Sequence, residues 1–249
     1  ATSCDTLFYK LAVDFYNDPG TPLQAWSRKF GLGSETGLDI GGERPGLVPD
    51  KRWLQSTFGA DEPWKPGYSV NLSIGQGDIT TTPLQMTNVY ATIANGGVKH
   101  TPHLGEAVLA PDGSQAYKLP VDRPVDLKLN TTFLTEIKEG LEQVANGPNG
   151  TAQAVFESFP IRTAGKSGTG ERFKADGSPL PDLSWYCGYA PAEKPEIAAC
   201  GFIDGGGGGS SAAGPIVHDI FSAYFKKRIE QPQNPDTSTD AAPSSEVAQ

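Results

Sequence analysis

The chain has 249 residues, with 20 Lys and Arg against 29 Asp and Glu, for a net charge of −9. That length suits one large domain or two small ones, and no Lys/Arg cluster marks a nucleic-acid surface. The apolar runs are far shorter than the ~20 residues of a membrane helix, and no charged start with an apolar core marks a signal peptide. Neither absence places the protein in the cytoplasm.

In chain order, Ala1-Thr2-Ser3-Cys4-Asp5 leads into Leu7, Phe8, Leu11 and Phe15 at helical spacing. Ser3 or Asp5 is placed to cap that helix. A start inside a helix cap reads as a cut from a longer chain. A second helix is predicted over 22–30, with Thr21 as cap and Pro22 in its first turn. Residues 34–70 read as loop, with Pro45-Gly46, Pro49, Pro63 and Pro66-Gly67. Trp53, Trp64 and Tyr68 either line a groove there or pin the loop down, the latter being the default. Thr82 and Pro83 start a further helix, with Leu84, Val89, Tyr90 and Ile93 as its apolar face, and Asn95-Gly96-Gly97 stops it.

His100 and His103 follow, with no Cys or carboxylate spaced to complete a metal site. They and His218 read as surface or packing residues. Residues 105–125 form a predicted hairpin turning at Pro111-Asp112-Gly113. A helix is expected over 131–145, with Phe133, Ile137, Leu141 and Val144 inward, and a short one over 152–156 capped by Thr151. Runs at 156–161, 183–189 and 196–203 read as strands. Lys166 sits on a strand opening a three-strand meander. Gly205 to Gly209 reads as a flexible connection to a last helix over 213–228. Residues 229–249, rich in Pro, Ser and Asp, read as a disordered tail.

The octapeptide from Gly165 to Arg172 (Gly-Lys-Ser-Gly-Thr-Gly-Glu-Arg) concentrates chemistry. Glycines in a strand suit close approach of a ligand to the backbone. Lys166 supplies a cation, and Ser167 and Thr169 supply hydroxyls, for an anion. An extended peptide can add to such an edge as a further strand. The spacing is not that of a phosphate loop. A Gly-rich hairpin with one solvated lysine fits the octapeptide equally well. Cys187 and Cys200 stand opposite if their hairpin centres on 192–194. Two readings stay open for them, a cross-strand disulfide or a pair of buried thiols.

Three stretches together resemble a known family. Ser3-Cys4-Asp5, Ser73-Ile74-Gly75-Gln76-Gly77 with Thr82-Pro83-Leu84-Gln85, and Lys166-Ser167-Gly168-Thr169 occur in the order seen in class B penicillin-binding proteins. The likeness is strongest to the penicillin-binding protein 2 branch, which serves wall elongation and cell shape. The stretch from Leu38-Asp39-Ile40 to Gly46 also resembles that branch. The resemblance covers roughly residues 1–228. It implies an α/β fold of the α+β type, the β-lactamase/transpeptidase-like antiparallel sheet flanked by helices. It implies a serine D,D-transpeptidase that crosslinks D-Ala-D-Ala stem peptides through an acyl-enzyme and is acylated by β-lactams. By resemblance, Ser3 relays a proton to the leaving amine and Asp5 stands where the family's Asn contacts the acyl peptide. Lys166 tunes Ser3 and attracts the substrate carboxylate, which Ser167 and Thr169 bind beside Gly168. The Thr169 N–H forms half of the oxyanion hole.

The family's Ser-x-x-Lys tetrad is absent from the 249 residues. Thr135-x-x-Lys138 and Thr163-x-x-Lys166 are not credible substitutes. The chain is therefore read as the C-terminal part of the domain, lacking the first strands and the nucleophile helix and inactive alone. The meander is then expected to have one face covered by late helices, and the segment to need its upstream part for stability. The resemblance implies no cofactor, no metal and no nucleic acid. It implies stem peptides, β-lactams and an elongation glycan polymerase as partners. Location at the extracytoplasmic face of the bacterial cell membrane follows, and that setting favours a Cys187–Cys200 disulfide. A non-catalytic penicillin- or peptide-binding relative and a serine β-lactamase-like hydrolase are the alternatives.

Overall fold

A three-stranded antiparallel meander is the centre of the computed structural model, which describes residues 2–230 and side chains to residue 226. Its strands are β5 (Ala164–Phe173), β6 (Pro179–Ala190) and β7 (Ile197–Ile203), in that spatial order. Eight helices and two small sheets surround it among the described residues. The helices are α1 (Asp5–Tyr16), α2 (Pro22–Lys29), α3 (Lys51–Phe58), α4 (Pro66–Ser73), α5 (Pro83–Ala94), α6 (Thr131–Asn146), α7 (Gln153–Phe156) and α8 (Gly209–Glu230). The small sheets pair β1 (Val98–Lys99) with β4 (Val125–Asp126) and β2 (Ala107–Leu109) with β3 (Gln115–Lys118). The antiparallel sheet flanked by helices is the fold class expected. The predicted tail lies outside the described residues from 231 onward.

Strand alternation sends successive side chains of the meander to opposite faces. Tyr186, Ala190 and Ala199 meet Ala213, Val217 and Phe221 of α8, with Phe156 of α7 and Val144 of α6. On the other face Ala164, Cys187 and Tyr189 meet Tyr90 and Ala94 of α5. The expectation that only one face would be covered therefore fails, because α5 lies across the second. Burying a large side chain contributes about 1.5–3 kcal/mol, so both layers matter.

Helix α5 has the predicted start. The Thr82 hydroxyl accepts the Gln85 N–H at 3.1 Å, and the Gln85 side chain accepts the Thr82 N–H at 2.9 Å. Gln85 is buried, and its amide also donates to the Ser34 and Pro45 carbonyls at 2.7 and 2.8 Å. One residue thus caps a helix and fastens the 34–46 loop. Asp39 in that loop accepts the Leu104 and Gly105 N–H groups at 2.8 Å each.

Other expectations need correction. Residues 34–70 contain two helices, α3 and α4. Each has eight residues, too short to display an apolar period, although Asp50 caps α3 by accepting the Trp53 N–H at 2.8 Å. Trp64 does pin its segment, donating Nε1–H to Ser69 Oγ at 3.0 Å. The run at 156–161 is not a strand. Phe156 ends α7 and stacks on Tyr186 at 5.2 Å, and the chain then turns, with the Phe159 N–H donating to the Phe156 carbonyl. Phe133 and Ile137 of α6 are exposed rather than inward, whereas Val144 is buried as expected and Leu134 is buried as well. Neither Ser3 nor Asp5 caps α1. Cys4 holds the cap position without a side-chain bond to the helix backbone, its Sγ lying 3.2 Å from Thr6 Oγ1 instead.

Candidate active site

β5 is an edge strand of the meander among the described residues, and its register with β6 sets the site. Lys166 stands opposite Cys187, Ser167 opposite Tyr186, and Thr169 opposite Ser184. Lys166 therefore projects to the α5 side, and Ser167 and Thr169 to the α8 side. The predicted triad does not converge on one face. It brackets the open edge, with a cation on one side and hydroxyls on the other. A ligand lying along that edge meets both.

Lys166 is partly buried, and its ammonium donates to the Ser167 carbonyl at 2.7 Å. Burial pushes its pKa below the ordinary lysine value, and the negative charge of Asp5 partly offsets this. The first turn of α1 thus acts on the lysine of β5, 161 positions later in sequence. Asp5 itself is exposed. Ser3 is also exposed and occupies the left-handed region at φ 53°, uncommon for a residue with a side chain. It makes no hydrogen bond among the described residues.

The Ser167 hydroxyl shares a 2.9 Å hydrogen bond with Thr151 Oγ1. Thr151 was expected to cap α7, but Ala152 takes that position and Thr151 serves β5 instead. Thr169 is exposed as a residue, and its hydroxyl accepts the N–H of Gly209 at 3.2 Å. The Thr169 carbonyl accepts from Gln76 Nε2 at 3.1 Å. Gln76 stands in the Ser73–Gly77 motif, which by itself names no partner for its side chain. The signal was its place between Gly75 and Gly77, whose φ values of 74° and 79° turn the loop toward the sheet.

Gly165 corrects the idea that all three strand glycines leave room for a ligand. A Cβ there would lie 2.5 Å from Tyr186 Oη and 2.7 Å from the Cys187 carbonyl. Its bareness serves the packing of Tyr186. Cys187 and Cys200 are paired in register and joined by a disulfide, with S–S 2.05 Å. Lys166, Cys187 and Cys200 thus form one row across the sheet. Of the histidines, His103 Nδ1 lies 3.1 Å from the Gly105 carbonyl, and His218 sits edge-on to Phe159.

Residues 1–222 match the penicillin binding protein transpeptidase domain family. The chain belongs to that family. It is 32% identical over 241 residues to the peptidoglycan D,D-transpeptidase MrdA of Haemophilus influenzae, covering 92% of this chain and 36% of that protein. The crystal structure of Pseudomonas aeruginosa PBP2 in complex with WCK 5153 superposes with a TM-score of 0.72 at 32% identity. That match covers 88% of this chain and 46% of the other. PBP2 of Helicobacter pylori, in its complex with MreC, superposes with a TM-score of 0.74 at 27% identity, covering 92% of this chain and 39% of the other. The chain spans about a third of the length of the curated relatives it matches. As a member of the penicillin-binding protein transpeptidase family it shares their fold over residues that include the β5 edge.

Proposed function

We propose that residues 1–228 form the carboxylate-binding and oxyanion wall of a peptidoglycan D,D-transpeptidase domain. The observation that carries this reading is the bracketed edge of β5. In an antiparallel strand the N–H and C=O of one residue point the same way. The Thr169 carbonyl meets Gln76 beyond the edge, so its N–H faces the same open side. An extended stem peptide adding there would present its terminal carboxylate to Lys166, Ser167 and Thr169 and its scissile carbonyl oxygen to the Thr169 N–H. Ser3 and Asp5, at the start of α1, are the proposed relay and acyl-peptide contacts. The attacking serine is not assigned to any residue of this chain.

In the proposed reaction a serine hydroxyl attacks the D-Ala-D-Ala amide carbonyl, and its oxygen–carbon bond replaces the carbon–nitrogen bond. The terminal D-Ala leaves as an amine, taking the serine proton through Ser3. An acceptor amine of a second stem peptide then displaces the serine. Such preorganised oxyanion donors are worth about 3–4 kcal/mol each at comparable sites. By likeness, the proposed setting is the extracytoplasmic face of a bacterial cell membrane. β-Lactams are the proposed inhibitors, and a glycan polymerase and an MreC-like protein the proposed partners. Among the described residues no helix is long and apolar enough to cross a membrane.

Fluorescent penicillin labelling of the full natural polypeptide tests the reading. Wild type is expected to form a covalent adduct, and Lys166→Ala to lose the second-order acylation rate by on the order of a hundredfold or more. His103→Ala is expected to change it little. Equal rates for wild type and Lys166→Ala would sink the site. Reversible binding alone would favour a peptide-binding relative, and rapid β-lactam turnover a hydrolase.

A further inference from the structure

The run Gly205 to Gly209 is not the slack connection its composition predicts. Gly205 and Gly207 hold φ values of 71° and 73°, turning the chain sharply after β7. A Cβ on Gly206 would lie 2.9 Å from Ile203 and Ser184 side-chain atoms. A Cβ on Gly209 would overlap the Gly168 carbonyl oxygen and lie 2.7 Å from the Trp185 carbonyl and 2.8 Å from the Gly168 nitrogen. Real Cβ atoms do not approach so closely, so only glycine lets α8 begin this near to β5 and β6.

A buried side chain holds the arrangement. Ser184 of β6 is fully shielded, and its hydroxyl accepts the Ala213 N–H at 3.0 Å. It donates to the Gly208 or Gly209 carbonyl, 3.1 and 3.2 Å away. Ser184 stands directly opposite Thr169 in the sheet. The first turn of α8 is thus fastened to β6 and delivers the Gly209 N–H to the Thr169 hydroxyl of β5 at 3.2 Å.

We infer that Gly209, held by Ser184, is a positioning residue that orients the Thr169 hydroxyl as a donor to the substrate carboxylate. The inference rests on the transpeptidase reading and deepens it. A hydroxyl has one proton and two acceptor sites. With one acceptor site filled by Gly209 from beneath, the proton of this hydroxyl is turned away from α8. It has no acceptor among the described residues. A carboxylate at the β5 edge would receive an oriented, charge-assisted hydrogen bond. The device selects for a free C-terminal carboxylate over its neutral amide.

The test compares acylation of the full natural polypeptide by an N-acyl-D-Ala-D-lactate depsipeptide with acylation by the same compound carrying a C-terminal carboxamide. Wild type should prefer the carboxylate by about tenfold or more. Thr169→Val should cut that preference severalfold, the remainder being held by Lys166 and Ser167. Gly209→Ala should reduce it severalfold toward the Thr169→Val value. Gly207→Ala strains a position with no atom within 4 Å of its added Cβ, and should leave the preference unchanged even if the melting temperature falls. Should Gly209→Ala fail to melt cooperatively, Ser184→Ala carries the same comparison with only one oxygen removed. A preference kept in full by folded Gly209→Ala or Ser184→Ala, with wild type acylating normally, would overturn this inference alone. Equal loss in Gly207→Ala would overturn it too, by showing only general loosening. Wild type that forms no adduct would remove the transpeptidase reading and this inference with it.

Discussion

Around the meander, Tyr186, Val217 and Phe221 are fully shielded from solvent, whereas α1 carries Leu7 and Phe8 at 57% and 45% exposure. The buried residues of α1, α2, α3 and α4 are Ala12, Gln24, Leu54, Ser69 and Leu72, mostly small or polar. The two regions supply residues to the proposed site but are held differently. Lys166, Ser167 and Thr169 stand on a sheet covered on both faces and crosslinked at one row. Asp5 stands on a helix whose own apolar residues are largely unburied. A rigid wall is preorganised for binding, and a loosely seated one must be ordered at some cost.

The largest expected effect comes from the core. Phe221→Ala should destabilise by about 3–5 kcal/mol, and Leu7→Ala by about 0.5 kcal/mol or less, read from denaturant midpoints. A Leu7→Ala cost equal to that of Phe221→Ala in the full polypeptide would show α1 to be packed there, and would break the comparison. Next comes the crosslink. Replacing Cys187 and Cys200 together by Ala should cost about 2–4 kcal/mol. Amide exchange should then speed up in β6 and β7 while α2 and α4 stay as they were. Uniform loss of protection would mean that the two regions unfold as one unit.

The smallest effect sharpens the link between the regions. Burial lowers the Lys166 pKa and the Asp5 carboxylate raises it part-way back. Removing that negative charge disfavours the ammonium, so in Asp5→Asn the lysine loses its proton at lower pH than in wild type. The alkaline limb of the acylation-rate profile should therefore move to lower pH, and Lys166→Arg should remove the limb, since arginine stays charged. An unmoved limb in Asp5→Asn would show that α1 does not act on β5 in the working enzyme.

Much of this arrangement was legible in the sequence because local chemistry and tertiary demand agreed. Thr82, Pro83 and Gln85 announce α5 and its capping box, and the hairpin count puts Cys187 opposite Cys200. The identity and order of the three motifs pointed to the β5 edge. What was not legible depended on distant partners. Gln76 meets Thr169 across 93 positions, and Thr151 meets Ser167 from a loop that looked like a helix cap. α3 and α4 are too short for a period to emerge. The glycine run was misread because composition cannot separate freedom from crowding. Glycine serves both, and only the backbone of Gly168 and Trp185 beneath Gly209 decides between them.

The row of Lys166, Cys187 and Cys200 has one more consequence. Side chains on a strand change face with every step, so a slip of one residue between β5 and β6 would carry Lys166 to the α8 side and expose Ser167 to Asp5. The meander has two seams at which such a slip can occur, and the disulfide closes one of them at the level of the lysine. The disulfide therefore fixes the alignment of β6 with β7, and the β5–β6 seam that decides the face of Lys166 is left to ladder hydrogen bonds and to the packing of Tyr186 against Gly165.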